Sequence, residues 1–173
     1  MTTNGRIALW WGALAKTATK DGEKLIVKNR RATYDYILED TYEAGIALVG
    51  SEVKSLRAGK VDVSDAFVSV ERGEAWLKQL QIAPFEMARA FPHEPRRPRR
   101  LLLHKNQIEQ LDRAIMRGGY TVIPTRLYFK DGRVKVEIAI AKGKKVHDKR
   151  EEIARKTADR EAREAMRRQR KAD

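Results

Sequence analysis

Residues 120–140, YTVIPTRLYFKDGRVKVEIAI, decide the fold. Asp131-Gly132 is a strong signal for a tight two-residue turn, because both residue types readily adopt the left-handed backbone conformation that such turns need. After the turn, apolar positions alternate with Lys135, Glu137 and Ala139, and they are Val134, Val136, Ile138 and Ile140. A period of two gives a strand one buried face and one solvated face. We therefore expect a β-hairpin that joins Tyr120–Phe129 to Val134–Ile140.

Outward from this hairpin, most of residues 25–142 carries strand patterns. Arg72-Gly73 is a second candidate hairpin turn, and short β-type runs bounded by polar residues or glycine recur on both sides of it. The additional strands that we predict are Tyr34–Leu38, Gly45–Val49, Ala66–Val70 and Glu74–Leu80.

Two helices interrupt the strands. The first is predicted over Ser51–Arg57, with Ser51 as N-cap, Val53 and Leu56 buried, and Gly59 just beyond its end. The second is predicted over Lys105–Arg117 and stops at Gly118-Gly119. Its apolar face consists of Ile108, Leu111 and Ile115.

The fold class that follows is mostly β, a small closed antiparallel barrel with one or two short helices. Closure is favoured because a sheet of few strands otherwise leaves both edges unpaired. Periodicity alone does not distinguish a barrel of OB type from another small barrel. We expect this barrel to occupy residues 23–145.

Charge is the most informative property of the composition. The 173 residues include 37 Lys+Arg and 24 Asp+Glu, a formal net charge of +13, which favours a polyanionic partner, nucleic acid before a membrane surface. The chain has no cysteine, which excludes disulfides and thiolate metal sites and fits a cytoplasmic protein. No apolar run approaches the roughly 18–20 residues that span a bilayer, so no membrane association is expected.

The two ends differ from the middle. Residues 1–22 include an apolar run with Trp10 and Trp11, and we expect a poorly ordered extension, because a secretory signal would need a more basic start. Residues 146–173 are a basic tail, almost without large apolar residues. The tail carries acid–base pairs at helical spacing, each worth about 0.2–0.5 kcal/mol, so we expect it to be disordered alone and helical against a polyanion. These predicted pairs are Glu151–Arg155, Glu152–Lys156, Asp159–Arg163 and Glu164–Arg168.

No catalytic constellation is recognisable. The three histidines, His93, His104 and His147, are too few and too scattered for a plausible zinc site, and Gly118-Gly119 lacks the Lys-Ser/Thr that follows a phosphate-binding loop. Neighbouring carboxylates such as Glu39-Asp40 are more often solvated than catalytic. We therefore expect no enzyme activity, no metal and no cofactor.

The basic segments are the better signals. Arg96, Arg97, Arg99 and Arg100 surround Pro98 and follow Pro95, so we expect an extended loop with splayed guanidinium groups that suits phosphate contacts. Lys142-Gly143-Lys144-Lys145 continues this surface after the last strand. Exposed rings among Tyr34, Tyr36, Tyr42 and Phe91 could stack on unpaired bases, although we expect most of these aromatic residues to belong to the core. The residues thus indicate a nucleic-acid-binding module, with RNA favoured.

Several ordered blocks along residues 25–150 resemble the SsrA-binding protein family, the small protein partners of transfer-messenger RNA in bacteria. Together they are far more specific than one basic tetrapeptide. The blocks are NRRA at 29–32, EAGI at 43–46, GSEVKSLRAGK at 50–60, PRRPRRLLLH at 95–104 and AKGKKVHDKR at 141–150.

The resemblance implies an OB-type barrel in a non-enzymatic adaptor. Such an adaptor binds the tRNA-like domain of transfer-messenger RNA and delivers it to stalled ribosomes for trans-translation. Residues implied at the RNA-binding face are Asn29, Glu43, Leu102 and Lys135, to which the basic patches add Arg30, Arg31, Arg96, Arg97, Arg99 and Arg100. A carboxylate repels phosphate, so Glu43 must accept from base or 2′-OH donors or clamp a neighbouring arginine.

The tail is implied to lie as a helix in the empty mRNA channel of the small subunit, near the decoding centre and its rRNA. Alanyl-tRNA synthetase and elongation factor Tu would be indirect partners through the RNA. Tail residues implied to contact the ribosome are Lys142, Lys144, Lys145, His147, Asp148, Lys149 and Arg150.

Two other classes share some of these features. A structural ribosomal protein or assembly factor would have the same charge, barrel and basic tail, but it would be stably bound to rRNA. A metal-dependent nuclease would need several converging carboxylates, and a sequence cannot show convergence.

Overall fold

The computed structural model describes residues 22–85 and 93–172. The predicted N-terminal extension, with Trp10 and Trp11, lies outside the described residues. In chain order the elements are β1 (Glu23–Lys28), α1 (Arg30–Asp35), β2 (Tyr36–Ile46), α2 (Gly50–Arg57), β3 (Val61–Asp62), β4 (Phe67–Glu71), β5 (Glu74–Lys78), β6 (Gln81–Ile82), β7 (Arg99–Leu102), α3 (Lys105–Met116), β8 (Tyr120–Lys130), β9 (Arg133–Gly143) and α4 (Val146–Ala172).

Both predicted hairpins are confirmed. Strands β8 and β9 pair from Tyr120 opposite Lys142 to Lys130 opposite Arg133, and the turn residues Asp131 and Gly132 have φ values of 50° and 73°. Strands β4 and β5 pair around Arg72 and Gly73, which have φ values of 50° and 76°. Two successive left-handed residues match the right-handed twist of the strands that they join.

The antiparallel pairings return on themselves. The strand order is β1-β8-β4-β5-β7-β2-β9, and β9 pairs again with β8, so the strands from β8 to β9 form a ring. The long strand β8 takes part twice more, with β4 at Val122 and with β1 nearer its end. This confirms the mostly β class and the ring-like antiparallel sheet that a small barrel requires.

The core lies inside the ring and under α3. Each fully buried Leu or Ile contributes about 1.5–3 kcal/mol relative to an exposed one. Leu111 is the fully buried anchor of α3, and Ile108 and Ile115 are partly buried beside the core, as predicted. The large aliphatic side chains with at most 1 % exposure are Leu56, Leu77, Leu80, Ile82, Leu111, Leu127 and Ile138.

The region of residues 30–49 differs from its prediction. The separate strands Tyr34–Leu38 and Gly45–Val49 are wrong, because residues 30–35 form α1 and residues 36–46 form the single strand β2. Helix α1 begins after Asn29, whose Oδ1 accepts from the Ala32 N–H at 3.1 Å. Strand β2 runs through the polar residues 39–41 because its pairing with β9 shifts register between Leu38 and Thr41.

Helix α2 forms where predicted, but its N-cap is Val49 rather than Ser51. The Glu52 carboxylate accepts from the Val49 N–H at 2.9 Å and thereby satisfies the start of the helix. Ser51 Oγ instead lies 2.9 Å from Nδ1 of the buried His93. His93 is thus a satisfied polar residue.

Helix α4 spans most of the predicted tail. Its large apolar side chains Ile153 and Met166 are 46 % and 65 % exposed, so they bury little area. Arg160 and Glu164 form an ion pair at 3.1 Å with helical spacing. In the part of the chain that the structure describes, no helix is long and apolar enough to cross a membrane.

Candidate RNA interface

The arginine-rich loop does not splay as predicted, because Arg99 is buried. Its side chain is 0 % exposed, and its Nε and Nη2 lie 2.8 Å from Oε1 of Glu52, which is also fully buried. The remaining donors reach backbone carbonyls, with Nη1 2.6 Å from Leu80 O and Nη2 3.1 Å from Pro95 O. In this position Arg99 holds the loop to α2 and cannot reach RNA, which corrects its assignment as a phosphate contact.

Arg97 completes this buried ion cluster. Its Nη2 lies 2.6 Å from Glu52 Oε2 and its Nε 2.9 Å from Oε1, while part of its side chain remains exposed. Burial opposes ionisation of Glu52, but the hydrogen bonds from Arg97 and from the Val49 N–H, with the charge of Arg99, hold its pKa below the usual range. The cluster is therefore an ionised Arg–Glu–Arg group that anchors the loop.

The outer arginines of the loop remain exposed. Arg96 donates to Gln81 Oε1 at 3.0 Å, and Arg100 lies 2.9 Å from Glu74 in an exposed ion pair. Exposed pairs of this kind are worth little and exchange readily for a phosphate. Of the four predicted loop arginines, Arg96 and Arg100 are thus the ones placed for contact with a polyanion.

Glu43 is the centre of a second charged cluster. The Tyr128 hydroxyl donates to its Oε2 at 2.5 Å, and Nζ of Lys130 lies at 3.0 Å. Lys135 Nζ lies 3.9 Å from Oε1. The hydrogen bonds from Tyr128 and Lys130 lower the pKa of Glu43, so it is a carboxylate at neutral pH. Its partners are a tyrosine and lysines rather than the arginine that one sequence interpretation required.

Leu102 lies beside this cluster with its side chain 53 % exposed. It is opposite Gly45 in the pairing of β7 with β2, and a Cβ on Gly45 would lie 3.1 Å from Leu102 Cβ. Glycine therefore lets the two strands and the leucine approach closely.

One surface depression of about 610 Å³ brings together four of the predicted RNA-binding residues. They come from separate strands, β2, β7 and β9, which the ring makes adjacent. These residues are Glu43, Arg100, Leu102 and Lys135. The depression thus combines an exposed cation, Arg100, a half-buried cation, Lys135, a fixed carboxylate and an exposed apolar side chain on one face.

The remaining predicted contacts lie elsewhere. Asn29 is buried and donates from Nδ2 to Pro124 O at 3.0 Å and to Val63 O at 3.3 Å, so it supports the fold and does not face a ligand. Arg30 and Arg31 are exposed on α1, and Arg31 pairs with Asp65 at 3.2 Å.

The predicted tail contacts divide between β9, the residues that follow it and α4. Lys142 belongs to β9, with Nζ 5.6 Å from the centre of the Tyr120 ring. Lys144 donates from Nζ to Thr33 O at 2.9 Å and from its backbone to Asp35 O at 2.9 Å, so it joins the root of the tail to the end of α1. Lys145 and Arg150 are exposed, and the side chains of His147, Asp148 and Lys149 lie outside the described residues.

Tyr128, Lys130 and Arg126 were missed by reasoning from the sequence. Arg126 stacks on the Tyr128 ring at 4.6 Å and pairs with Glu137 at 2.9 Å. The hairpin register could have identified Tyr128, because a turn at 131–132 places residue 128 opposite the predicted contact Lys135.

Fold and surface together define a class: a small, strongly basic β-ring protein with a charged, partly apolar depression and a basic helical tail. Within the described ranges, no three His, Asp or Glu side chains are grouped so that they could hold a metal ion.

Comparison with known proteins gives the family. A family model described as SmpB protein matches residues 26–168, and the chain belongs to that family. The chain is 49 % identical over 148 residues to an SsrA-binding protein of Desulforudis audaxviator, covering 86 % of this chain and 97 % of the relative. It is 54 % identical over 142 residues to an SsrA-binding protein of Caldanaerobacter subterraneus subsp. tengcongensis, covering 82 % and 90 %.

A solved structure resembles the chain as well. It is described as "tmRNA-SmpB: a journey to the center of the bacterial ribosome", and the matching chain has 48 % sequence identity and a TM-score of 0.61. The match covers 69 % of this chain and 85 % of that one.

Proposed function

We propose that this protein is an RNA-binding adaptor that binds the tRNA-like domain of transfer-messenger RNA. It delivers this RNA to stalled ribosomes for trans-translation, where the tail probes the empty mRNA channel. The observation that carries the proposal is the convergence of Glu43, Arg100, Leu102 and Lys135 on one depression. The names of the relatives support the choice of RNA.

The depression is better suited to a folded RNA than to a polyanion that offers phosphate groups alone. Its cations, Arg100 and Lys135, can reach phosphates, while Leu102 offers an apolar contact to a base or ribose. The Glu43 carboxylate repels phosphates and holds Lys130 and Lys135 close to itself. It therefore disfavours any RNA that would place a backbone phosphate beside Glu43. Glu43 is thus a positioning and selecting group on this face.

The tail has the properties that a channel-filling helix needs. Arg150, Ile153, Arg160 and Met166 are exposed on α4, so basic and apolar groups are available to a partner. Lys144 ties the first residues of the tail to the end of α1 and sets where the helix leaves the ring.

Sequencing the RNA that copurifies with the tagged protein from bacterial cells tests the proposal. We expect one discrete transfer-messenger RNA species. Bulk rRNA would instead indicate a structural ribosomal protein, and metal-dependent loss of the bound RNA on incubation would indicate a nuclease.

A matched pair of variants tests the depression itself. Lys135→Ala and Lys60→Ala remove the same charge, but Lys60 is exposed on the loop after α2, outside the depression. We expect Lys135→Ala to weaken binding of the tRNA-like domain about tenfold, the cost of one charge-assisted contact, and Lys60→Ala to change it little. Equal losses in a filter-binding assay would show that the depression is not the interface.

A further inference from the structure

A second depression, of about 460 Å³, lies between β2, the end of α3 and the start of β8. It shares no residue with the depression around Leu102, and the function proposed above does not use it. Its volume is within the range of small-molecule sites. The side chains that matter for its chemistry are Glu39, Asp40, Tyr42, Arg113, Arg117 and Tyr120.

The two carboxylates lie where strand β2 departs from regular pairing. Its register with β9 shifts between Leu38 and Thr41, so Glu39 and Asp40 fall in a bulge. Bulges redirect side chains, and they are over-represented beside functional sites. Both residues are exposed at the rim of the depression.

The two arginines come from the last turn of α3 and its C-cap. Arg113 and Arg117 are four residues apart and therefore lie on one face of the helix. The helix dipole favours cations at this end, which stabilises the arginines but does not explain carboxylates beside them.

Among the described residues, none of these four charges forms an ion pair. In the described part of the chain, Glu39, Asp40, Arg113 and Arg117 have no ion-pair partner within 4.0 Å, although opposite charges line the same depression. Around Glu43, by contrast, carboxylates and cations are paired with one another. The two arginines, as hydrogen-bond donors, and the two carboxylates, as acceptors, are thus available to a ligand.

Aromatic surface completes the depression. Tyr42 donates from its hydroxyl to Gln110 Oε1 at 3.1 Å, which fixes its ring, and Tyr120 is half-buried under Lys142. Burial and the nearby Asp40 raise the pKa of Tyr42, so its phenol stays neutral beside that carboxylate. A neutral ring is a stacking platform for a base.

We propose that this depression binds a single unpaired guanine nucleotide of an RNA. Guanine is the base that presents two adjacent donors, N1–H and N2–H₂, on its Watson–Crick edge, and one carboxylate accepts both. Adenine and cytosine place a ring acceptor beside their amino group, which a carboxylate repels. Arg113 and Arg117 take the phosphate, and Tyr42 or Tyr120 takes the face of the base. The inference rests on the proposed function for its RNA, but the site is separate.

Titration of the intact protein with the four nucleoside monophosphates tests the site directly. Guanosine 5′-monophosphate should shift the NMR signals of Tyr42, Tyr120 and the Arg113 side chain, with at least tenfold tighter binding than the other three nucleotides. Asp40→Asn with Glu39→Gln should abolish the preference for guanine. Arg113→Ala with Arg117→Ala should bring the affinity for guanosine 5′-monophosphate down to that for guanosine, and Arg113→Ala alone should lower it part of the way, whereas Arg72→Ala, at an exposed hairpin turn, should not change it.

Equal shifts with all four nucleotides, or shifts only at residues around Leu102, would overturn the proposal. The two proposals fail separately. If the intact protein copurifies transfer-messenger RNA but binds neither guanosine monophosphate nor guanosine, the site is wrong and the adaptor function stands. If the nucleotide binds but no transfer-messenger RNA copurifies, the site stands and the adaptor function is wrong.

Discussion

Glu52 is a buried residue that fixes the position of the arginine-rich loop at the surface. It receives Arg97 and Arg99, caps the start of α2 through the Val49 N–H, and has no exposed side-chain area. A lone buried carboxylate would be costly, and a lone buried guanidinium equally so. The Glu52–Arg99 pair is stable because both oxygens of Glu52 and every guanidinium nitrogen of Arg99 have a hydrogen-bond partner.

Arg99→Met therefore leaves Glu52 buried with only part of its compensation. We expect a loss of about 3–5 kcal/mol in the free energy of unfolding, measured by urea denaturation at neutral pH. Arg100→Met is the control, because its exposed pair with Glu74 should be worth less than about 1 kcal/mol. Similar losses for both variants would contradict the difference in roles.

Tyr128 supplies a pH-dependent prediction at the same scale. Burial, then its hydrogen bond to Glu43, raises the pKa of Tyr128 well above the usual tyrosine value of about 10. Because the native pKa is the higher one, the stabilisation is complete below about pH 10 and is lost as pH rises through the native pKa. An absorbance titration should show one tyrosine that ionises last.

Tyr128→Phe should remove that last ionisation step. Glu43→Gln should move the step to lower pH, because the neighbouring negative charge is gone. Tyr34→Phe removes an exposed tyrosine and should leave the last step in place. A last step that survives in Tyr128→Phe would contradict the assignment.

At the scale of elements, the sequence predicted the elements that depend on local backbone conformation and missed the one that depends on contacts remote in sequence. Asp131-Gly132 and Arg72-Gly73 predicted both hairpins, because a two-residue turn is decided by its own backbone conformation. Helix α1 was missed because its cap, Asn29, is held by the carbonyls of Val63 and Pro124, which are remote in sequence.

The candidate site divides in the same way. Lys135 was predicted on the polar face of its strand, since alternation alone places it there. The burial of Arg99 was not predictable from a run of arginines, because it depends on Glu52, 47 residues away. Residue type and hydrophobic period thus predict which face of a strand a side chain lies on. The partner that a side chain contacts can be known only from the folded structure.

Gly132→Ala tests the turn that decides the largest hairpin. With φ at 73°, an alanine is strained there, and we expect a loss of about 1 kcal/mol or more. Gly143→Ala, at the end of β9, meets nothing within 4 Å and should change stability by no more than about 0.5 kcal/mol. Thermal unfolding of the two variants provides the comparison, and equal shifts would mean that the turn is not strained.

At the scale of the whole molecule, the net charge of +13 favours a polyanionic partner, and the number of phosphate contacts sets how that binding responds to salt. Each phosphate contact adds roughly 0.7–0.9 to the slope of log affinity against log salt. Arg96→Ala with Arg100→Ala should therefore lower the slope by roughly 1.4–1.8, whereas Arg72→Ala should leave it unchanged. An unchanged slope in the double variant would remove these arginines from the interface.

The last prediction separates the ring from its tail. The core lies in the ring, and α4 leaves Ile153 and Met166 exposed, so the tail contributes little buried area to the domain. Deleting everything after Arg150 should therefore change stability by no more than about 0.5 kcal/mol, or about 1–2 °C in Tm. Binding of transfer-messenger RNA should be nearly intact, because the depression around Leu102 is untouched.

Trans-translation on stalled ribosomes should nevertheless be abolished, because under the proposed function the helix acts only in the ribosomal channel. A peptide of residues 148–173 should show little helix by circular dichroism in buffer and more in trifluoroethanol, because most helical stability comes from packing an apolar face and this segment buries little apolar area. Scrambling the tail while keeping its composition is the control that distinguishes bulk charge from helical spacing. If the truncated protein loses RNA binding as severely as it loses trans-translation, the ring and the tail do not have separate roles.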